Sequence, residues 1–146
     1  MNIHNKNIVI TGAANGIGYA LAKRIIQESP KSISLIDINS SVNEVARSMN
    51  ADSYVVDVSN ENDFQSVLNS IIDKNNSIDL FCSNAGIQQF GTLETSTSDW
   101  QKNWDVNVMS HIYAAKVLIP HMQKQGSGYI MLTVSAAGLL NMPGAI

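Results

Sequence analysis

Three glycines fall within seven positions in Thr11-Gly12-Ala13-Ala14-Asn15-Gly16-Ile17-Gly18, between the apolar run Ile8-Val9-Ile10 and an amphipathic segment carrying Ile17, Leu21 and Ile25. Each glycine costs a helix roughly 1 kcal/mol relative to alanine, so helix propensity gives no reason to open one this way. A backbone requirement does, because glycine enters conformations that strain other residues. A strand that ends in such a turn and feeds a helix aims backbone N–H groups and the helix N-terminus at one point. There a pyrophosphate gains charge-assisted hydrogen bonds, and side chains at Gly12, Gly16 or Gly18 would block its approach. A glycine-rich turn can also be only a turn, and context separates the two readings. Asp37 closes the next apolar run, Ile33 to Ile36, and completes the strand, helix and acidic residue of a dinucleotide-binding unit.

The rest of the chain fits that beginning. Short apolar runs centred on Val9, Leu35, Val55, Leu80 and Met131 are bounded by turn formers and are expected to be buried strands. Between them lie helical patterns: Val42, Val45, Ala46 and Met49, then Phe64, Val67, Leu68, Ile71 and Ile72. Alternating strands and helices predict an α/β fold, a Rossmann-like doubly wound parallel sheet, here truncated after the fifth strand. The 146 residues suit a single dinucleotide-binding domain, 1–146, incomplete at its C-terminal end.

The longest helix is predicted to start at Ser98 or Asp99, with apolar positions Trp104, Val108, Ile112, Ala115, Ile119 and Met122. A second stripe, Val106, Tyr113 and Val117, makes it apolar on more than one side. One side is expected to face the sheet. The other faces either a second subunit, giving a homo-oligomer through the 99–125 helix, or the core, which is the more conservative reading. Pro120 is expected to bend or loosen the helix near its end.

A net charge of −3 gives no electrostatic footprint for nucleic acid or an anionic membrane. Oriented backbone dipoles still allow an anionic dinucleotide. The one cysteine, Cys82, lies in an apolar run and reads as a buried, inert thiol. His4, His111 and His121 show no ligand spacing, so no metal is assigned. Residues 1–6 lack the apolar core of a signal peptide, and no run approaches a membrane span, which makes the cytoplasm the expected compartment.

The spacing Thr-Gly-x-x-x-Gly-x-Gly, followed by Ser83-Asn84-Ala85-Gly86, Asn107 and Ser135 in order, resembles the short-chain dehydrogenase/reductase family from about Lys6 onward. The resemblance implies cofactor contacts from Gly12, Asn15, Gly16, Ile17 and Gly18. It implies that Asp37 accepts hydrogen bonds from the adenosine ribose, which favours NAD over NADP because the carboxylate repels a 2′-phosphate. Asp57 and Val58, at the end of the third strand, would contact adenine, although a strand-end Asp is otherwise most often a helix cap. Asn84, Ala85 and Gly86 would line the cofactor and tie the central strands together. Ser83 stands where the family commonly has Asn, a departure expected to matter little.

Two residues are implied in catalysis. Asn107 matches the helix-distorting Asn that holds a water in the proton relay; a core amide bonded to backbone is the competing reading. Ser135 matches the serine that hydrogen-bonds the oxygen of a small alcohol or ketone substrate. Gln88, Gln89, Leu139, Leu140 and Met142 are candidates to border the substrate pocket. The family's Tyr-x-x-x-Lys pair would follow the serine, and Ile146 is the last residue before it should begin; neither Tyr113 nor Tyr129 has Lys four positions on. The expected consequences are little turnover by these residues alone and an unpaired edge on the strand containing Met131. A stand-alone dinucleotide-binding or interaction module is the alternative. The reading frame after the Ile146 codon separates the two.

Overall fold

The structure, a computed structural model, describes residues 2–89, 91–92 and 94–136. Five strands, β1 (Asn7–Thr11), β2 (Ser32–Asp37), β3 (Asp52–Val55), β4 (Leu80–Ser83) and β5 (Tyr129–Leu132), form one sheet in the order β3-β2-β1-β4-β5. Every pairing is parallel, with Val9 opposite Ser34 on one side and Phe81 on the other. Helices α1 (Gly16–Ile25), α2 (Val42–Met49), α3 (Glu61–Asn75), α4 (Thr97–Trp104) and α5 (Ser110–Gln125) carry the connections. The chain winds outward from β1 through β2 to β3, then returns to start β4 on the other side of β1. That reversal opens a crevice at the carboxyl ends of β1 and β4.

Alternation along β1 and β4 divides the core in two. Ile8, Ile10, Leu80 and Cys82 point to the face covered by Ala22 and Ile25 of α1 and Val42 and Ala46 of α2. Val9 and Phe81 point to the opposite face, packed by Phe64, Leu68 and Ile71 of α3 and Ala114, Leu118 and Met122 of α5. Side chains alternate with period two along a strand, so a continuous apolar run supplies both faces at once.

The expected burial holds for β1, β2 and β4 and fails at the edges. Val55 of β3 is 50% exposed, and Tyr129, Met131 and Leu132 of β5 are all exposed. In α1 the core face is Gly18, Ala22 and Ile25, while Ile17 is 67% exposed. Gly18 displaces the expected apolar contact because α1 packs there by its main chain.

The long helix is not one regular helix. Ser96, rather than Ser98 or Asp99, caps α4 by accepting the Asp99 N–H at 3.1 Å. A π-helical turn, Asp105–Met109, then joins α4 to α5. Which stripe would face the sheet was left open by the sequence, and apart from buried Met122 the structure puts the second one there. Val106 is buried and Tyr113 and Val117 pack on the core, whereas Trp104, Ile112 and Ile119 are exposed. Helix α5 continues through Pro120 to Gln125 and ends at Gly126, whose left-handed φ of +76° suits glycine.

Candidate active site

Each glycine of the first turn has its own reason. A Cβ on Gly12, whose φ is +67°, would stand 2.8 Å from the Ala85 Cα, and one on Gly18 would fall on the Gly12 carbonyl oxygen. These two let the main chains of the turn, α1 and the segment after β4 close on one another. Gly16 differs: its φ is +54° and a Cβ there would meet nothing within 4 Å. The space around a side chain at Gly16, the first residue of α1, is therefore open. No acidic residue occupies the first turn of α1 itself, so no carboxylate of the helix competes for its positive end.

Thr11 and Asn84 lock this turn to the next strands. The buried Thr11 Oγ1 accepts the N–H groups of Asn84 and Ala85 at 2.9 and 3.0 Å. Asn84 Nδ2 donates to the Thr11 carbonyl at 3.1 Å, and its Oδ1 accepts from Thr133 Oγ1 at 3.0 Å. One amide thereby joins the ends of β1, β4 and β5. Thr11, although it opens the glycine motif, was not singled out as a site residue from sequence, nor was Thr133, a strand-end threonine with no signal of its own.

The two aspartates are placed differently. Asp37 accepts the Ala14 N–H on Oδ2 and the Asn39 N–H on Oδ1, each at 2.9 Å, so its carboxylate is held against the glycine turn. Asp57 lies two residues beyond β3 instead of ending it, and its Oδ1 accepts both the N–H and the Oγ–H of Ser59 at 2.9 and 2.7 Å. Asn60 caps α3 by accepting the Asp63 N–H.

A cleft of about 510 Å³ opens at the carboxyl end of the sheet. Gly12, Asn15 and Ile17 line it from the first turn, Asp37, Asp57 and Val58 from one side, and Asn84, Ala85 and Gly86 from the other. Nine of the sequence-predicted residues thus meet around one space. Gly16, Gly18, Asn107 and Ser135 do not line it directly. Ile87, Val106 and Lys102 do, and Lys102 is the one cation among the described lining residues. Its position on α4 gave no hint in the sequence, since its exposure on a helix is ordinary.

Asn107 sits inside the π turn. Its Oδ1 accepts the Ile87 N–H and its Nδ2 donates to the Ile87 carbonyl, both at 2.9 Å. The residue therefore lies at a helix distortion and bonds main chain with both ends of its amide, the contacts that the competing reading of a backbone-bonded amide describes. A Cβ on Gly86 would lie 3.2 Å from Asn107 Oδ1, which accounts for glycine at that position. One turn on, His111 Nδ1 is 2.6 Å from the Oγ of buried Ser83. Burial pushes the His111 imidazole below its ordinary value, against a smaller opposing hydrogen bond with the Asn107 backbone. Ser83 is thus a tie between β4 and α5, more than the minor departure expected.

Ser135 is exposed, three residues past β5 at the same carboxyl edge. Leu139, Leu140 and Met142 lie outside the described residues. Among the described residues no group of three His, Cys, Asp or Glu side chains is placed to hold a metal, and no helix is long and apolar enough to cross a membrane.

Comparison with known proteins accords with this geometry. The family profile described as short chain dehydrogenase matches residues 6–146. A meso-2,3-butanediol dehydrogenase of Serratia marcescens is 34% identical over 143 residues, covering 95% of this chain and 57% of that protein. An uncharacterized oxidoreductase of Thermotoga maritima is 30% identical over 148 residues, covering 98% and 59%. Among solved structures, a short chain dehydrogenase/reductase from Burkholderia phymatum in complex with NAD superposes with a TM-score of 0.91 at 30% identity, covering 99% of this chain and 54% of that one. An NAD⁺-bound xylitol dehydrogenase gives 0.88 at 27%, covering 99% and 58%. The chain thus spans somewhat over half the length of these relatives. On the matched profile, the parallel sheet and the glycine turn together, the chain belongs to the short-chain dehydrogenase family of oxidoreductases.

Proposed function

We propose that the cleft binds NAD in preference to NADP, for hydride transfer between the nicotinamide and a small alcohol or ketone in the cytoplasm. The observation that carries this reading is the turn itself: Gly12 and Gly18 close the main chain, and the space beyond Gly16 is open to a diphosphate at the α1 N-terminus. Asp37 and Asp57 flank that point on the β2–β3 side, where an adenosine would lie. Asp37 would meet the ribose hydroxyls and repel a 2′-phosphate, Asp57 and Val58 would meet adenine, and Asn84, Ala85 and Gly86 would border the other half. The cofactor, when bound, would accept hydride from an alcohol or, in its reduced form, supply it to a ketone. The chain's part is to hold and orient it, with Ser135 bonding the substrate oxygen and Asn107 fixing the wall behind.

Acid–base catalysis by a positioned group contributes roughly 100- to 10,000-fold, and residues 1–146 carry no Tyr-x-x-x-Lys after Ser135, the one such spacing, Tyr19 to Lys23, lying in α1. These residues alone, one dinucleotide-binding domain, are therefore expected to bind cofactor with negligible turnover. The exposed stripe of Trp104, Ile112 and Ile119 supports a homo-oligomer formed through the 99–125 helix. Calorimetric titration tests the central claim: NAD is expected to bind more tightly than NADP, and the reverse order refutes it. Robust dehydrogenase turnover by mass-verified 146-residue protein refutes the second claim.

A further inference from the structure

Asn107 has no freedom in how its amide is turned. The Ile87 N–H can only donate and the Ile87 carbonyl can only accept, so Oδ1 faces the first and Nδ2 the second. Nδ2 gives its other proton to Asn103 Oδ1 at 3.3 Å, which leaves Asn103 its Nδ2 to donate onward, and it does so to Gln89 Oε1 at 3.2 Å. Each amide fixes the direction of the next. Asn103 is buried on the core side of α4, where an amide is costly unless bonded and a leucine would need no partners. The segment from Ile87 to Gln89 is thereby gripped at both ends, by Asn107 and by Asn103, and Gly86 and Ile87 form a wall of the cleft.

We propose that Asn103 is a positioning residue for the cofactor cleft, holding with Gln89 the wall that faces the half of the dinucleotide remote from Asp37. The inference rests on the dinucleotide reading of the cleft. It assigns no chemical step to Asn103. Its content is directional: donor must meet acceptor between positions 103 and 89.

A double-substitution cycle read at pH 7 and at pH 9.5 tests that direction, because two facing carboxyls share one proton until the pH is high enough to remove it. Asn103→Asp keeps the acceptor toward Asn107, and Gln89 answers the lost donor by turning its own amide. Gln89→Glu accepts from Asn103 as before. Only the double variant, once that proton is lost, sets oxygen against oxygen. At pH 9.5 each single variant is expected to bind NAD within about threefold of the wild type, and the double variant about tenfold more weakly than the singles combined, as for neighbours in one hydrogen-bonded network. AMP, confined to the Asp37 side, is expected to bind all four proteins alike. In the double variant without nucleotide, hydrogen exchange at the Ile87 N–H is expected to quicken more than global unfolding does. Additive NAD affinities, or AMP affinity falling in step with NAD, overturn the inference. A wild type that binds neither nucleotide sinks the cleft reading instead; the Ile87 exchange rates then decide alone, and unchanged exchange in the double variant overturns the clamp.

Discussion

The Asp37 carboxylate reaches back from the end of β2 to the glycine turn, where its Oδ2 accepts the Ala14 N–H at 2.9 Å. A residue expected only to read a ribose therefore also holds the turn that would receive the diphosphate. Asp37→Ala is expected to weaken NAD binding by about tenfold or more, since a hydrogen bond to a charged group contributes roughly 1.5–3 kcal/mol. Preference against NADP should narrow in the same variant. Calorimetry with both nucleotides checks this; unchanged NAD affinity contradicts it.

Gly16 and Gly18 are expected to respond differently to alanine. At Gly18 the new Cβ collides with the Gly12 carbonyl, a main-chain atom that cannot swing away, and overpacking of this kind costs roughly 1–3 kcal/mol. At Gly16 the methyl has room, and only the left-handed φ opposes it, by about 1–2 kcal/mol. Gly16→Leu should stay folded yet lose nucleotide affinity. Urea melts paired with titrations separate these effects, and a Gly16→Leu protein with undiminished NAD affinity would show that no diphosphate lies there.

Burial holds the His111 imidazole below the ordinary value of 6.5, so the unfolded chain binds the proton more readily than the folded one. Stability from this group is thus complete above 6.5 and declines as pH falls from there through the lower folded-state value. Wild type is expected to lose more stability than His111→Gln between pH 7 and 5. Equal losses in parallel denaturant melts would show that the imidazole makes no such contribution.

Cys82 is fully buried in β4 and burial pushes its thiol up to about 12. Alkylation by iodoacetamide at pH 8 should proceed only as fast as the protein opens, and should accelerate in urea with the unfolding transition. Rapid labelling of folded protein would contradict the packing described for that strand.

Trp104→Glu and Ile112→Glu each place a charge in the exposed apolar stripe. Sedimentation velocity is expected to show an oligomer for the wild type and a smaller species for both variants, with helix content retained. A wild type that is monomeric at all concentrations rules out the association.

Much of the sheet was legible because a parallel strand buried on both faces is written as a short continuous apolar run, as in Ile8-Val9-Ile10. Helices α2 and α3 were legible for a similar reason: their cores, Val42 with Ala46 and Phe64 with Leu68 and Ile71, lie at helical spacing. Helix α1 misled because glycine occupies its closest approach to the sheet, leaving exposed Ile17 to stand in for a core position. Which stripe of the long helix faces the core was not legible, because apolar residues on an outer face look the same in sequence as those in a core. The π turn, Asp105–Met109, was not legible either and has no composition of its own. Nine of the residues announced by glycine or by motif spacing line the cleft, while Gly16, Gly18, Asn107 and Ser135 do not. Lys102 and Thr133 line it and went unannounced, since their placement comes from tertiary contacts.

The extra residue also makes the π turn the place where this chain can absorb a change in length. A π turn carries one residue more than the α turn it replaces, so removing one position between Asp105 and Met109 leaves a regular α turn, and Leu118 and Met122 can stay on the sheet. Regular helix has no such slack. Each residue there advances about 100°, so a single-codon deletion early in α5 would turn the rest of the helix and bring Ile119 to the place of Leu118.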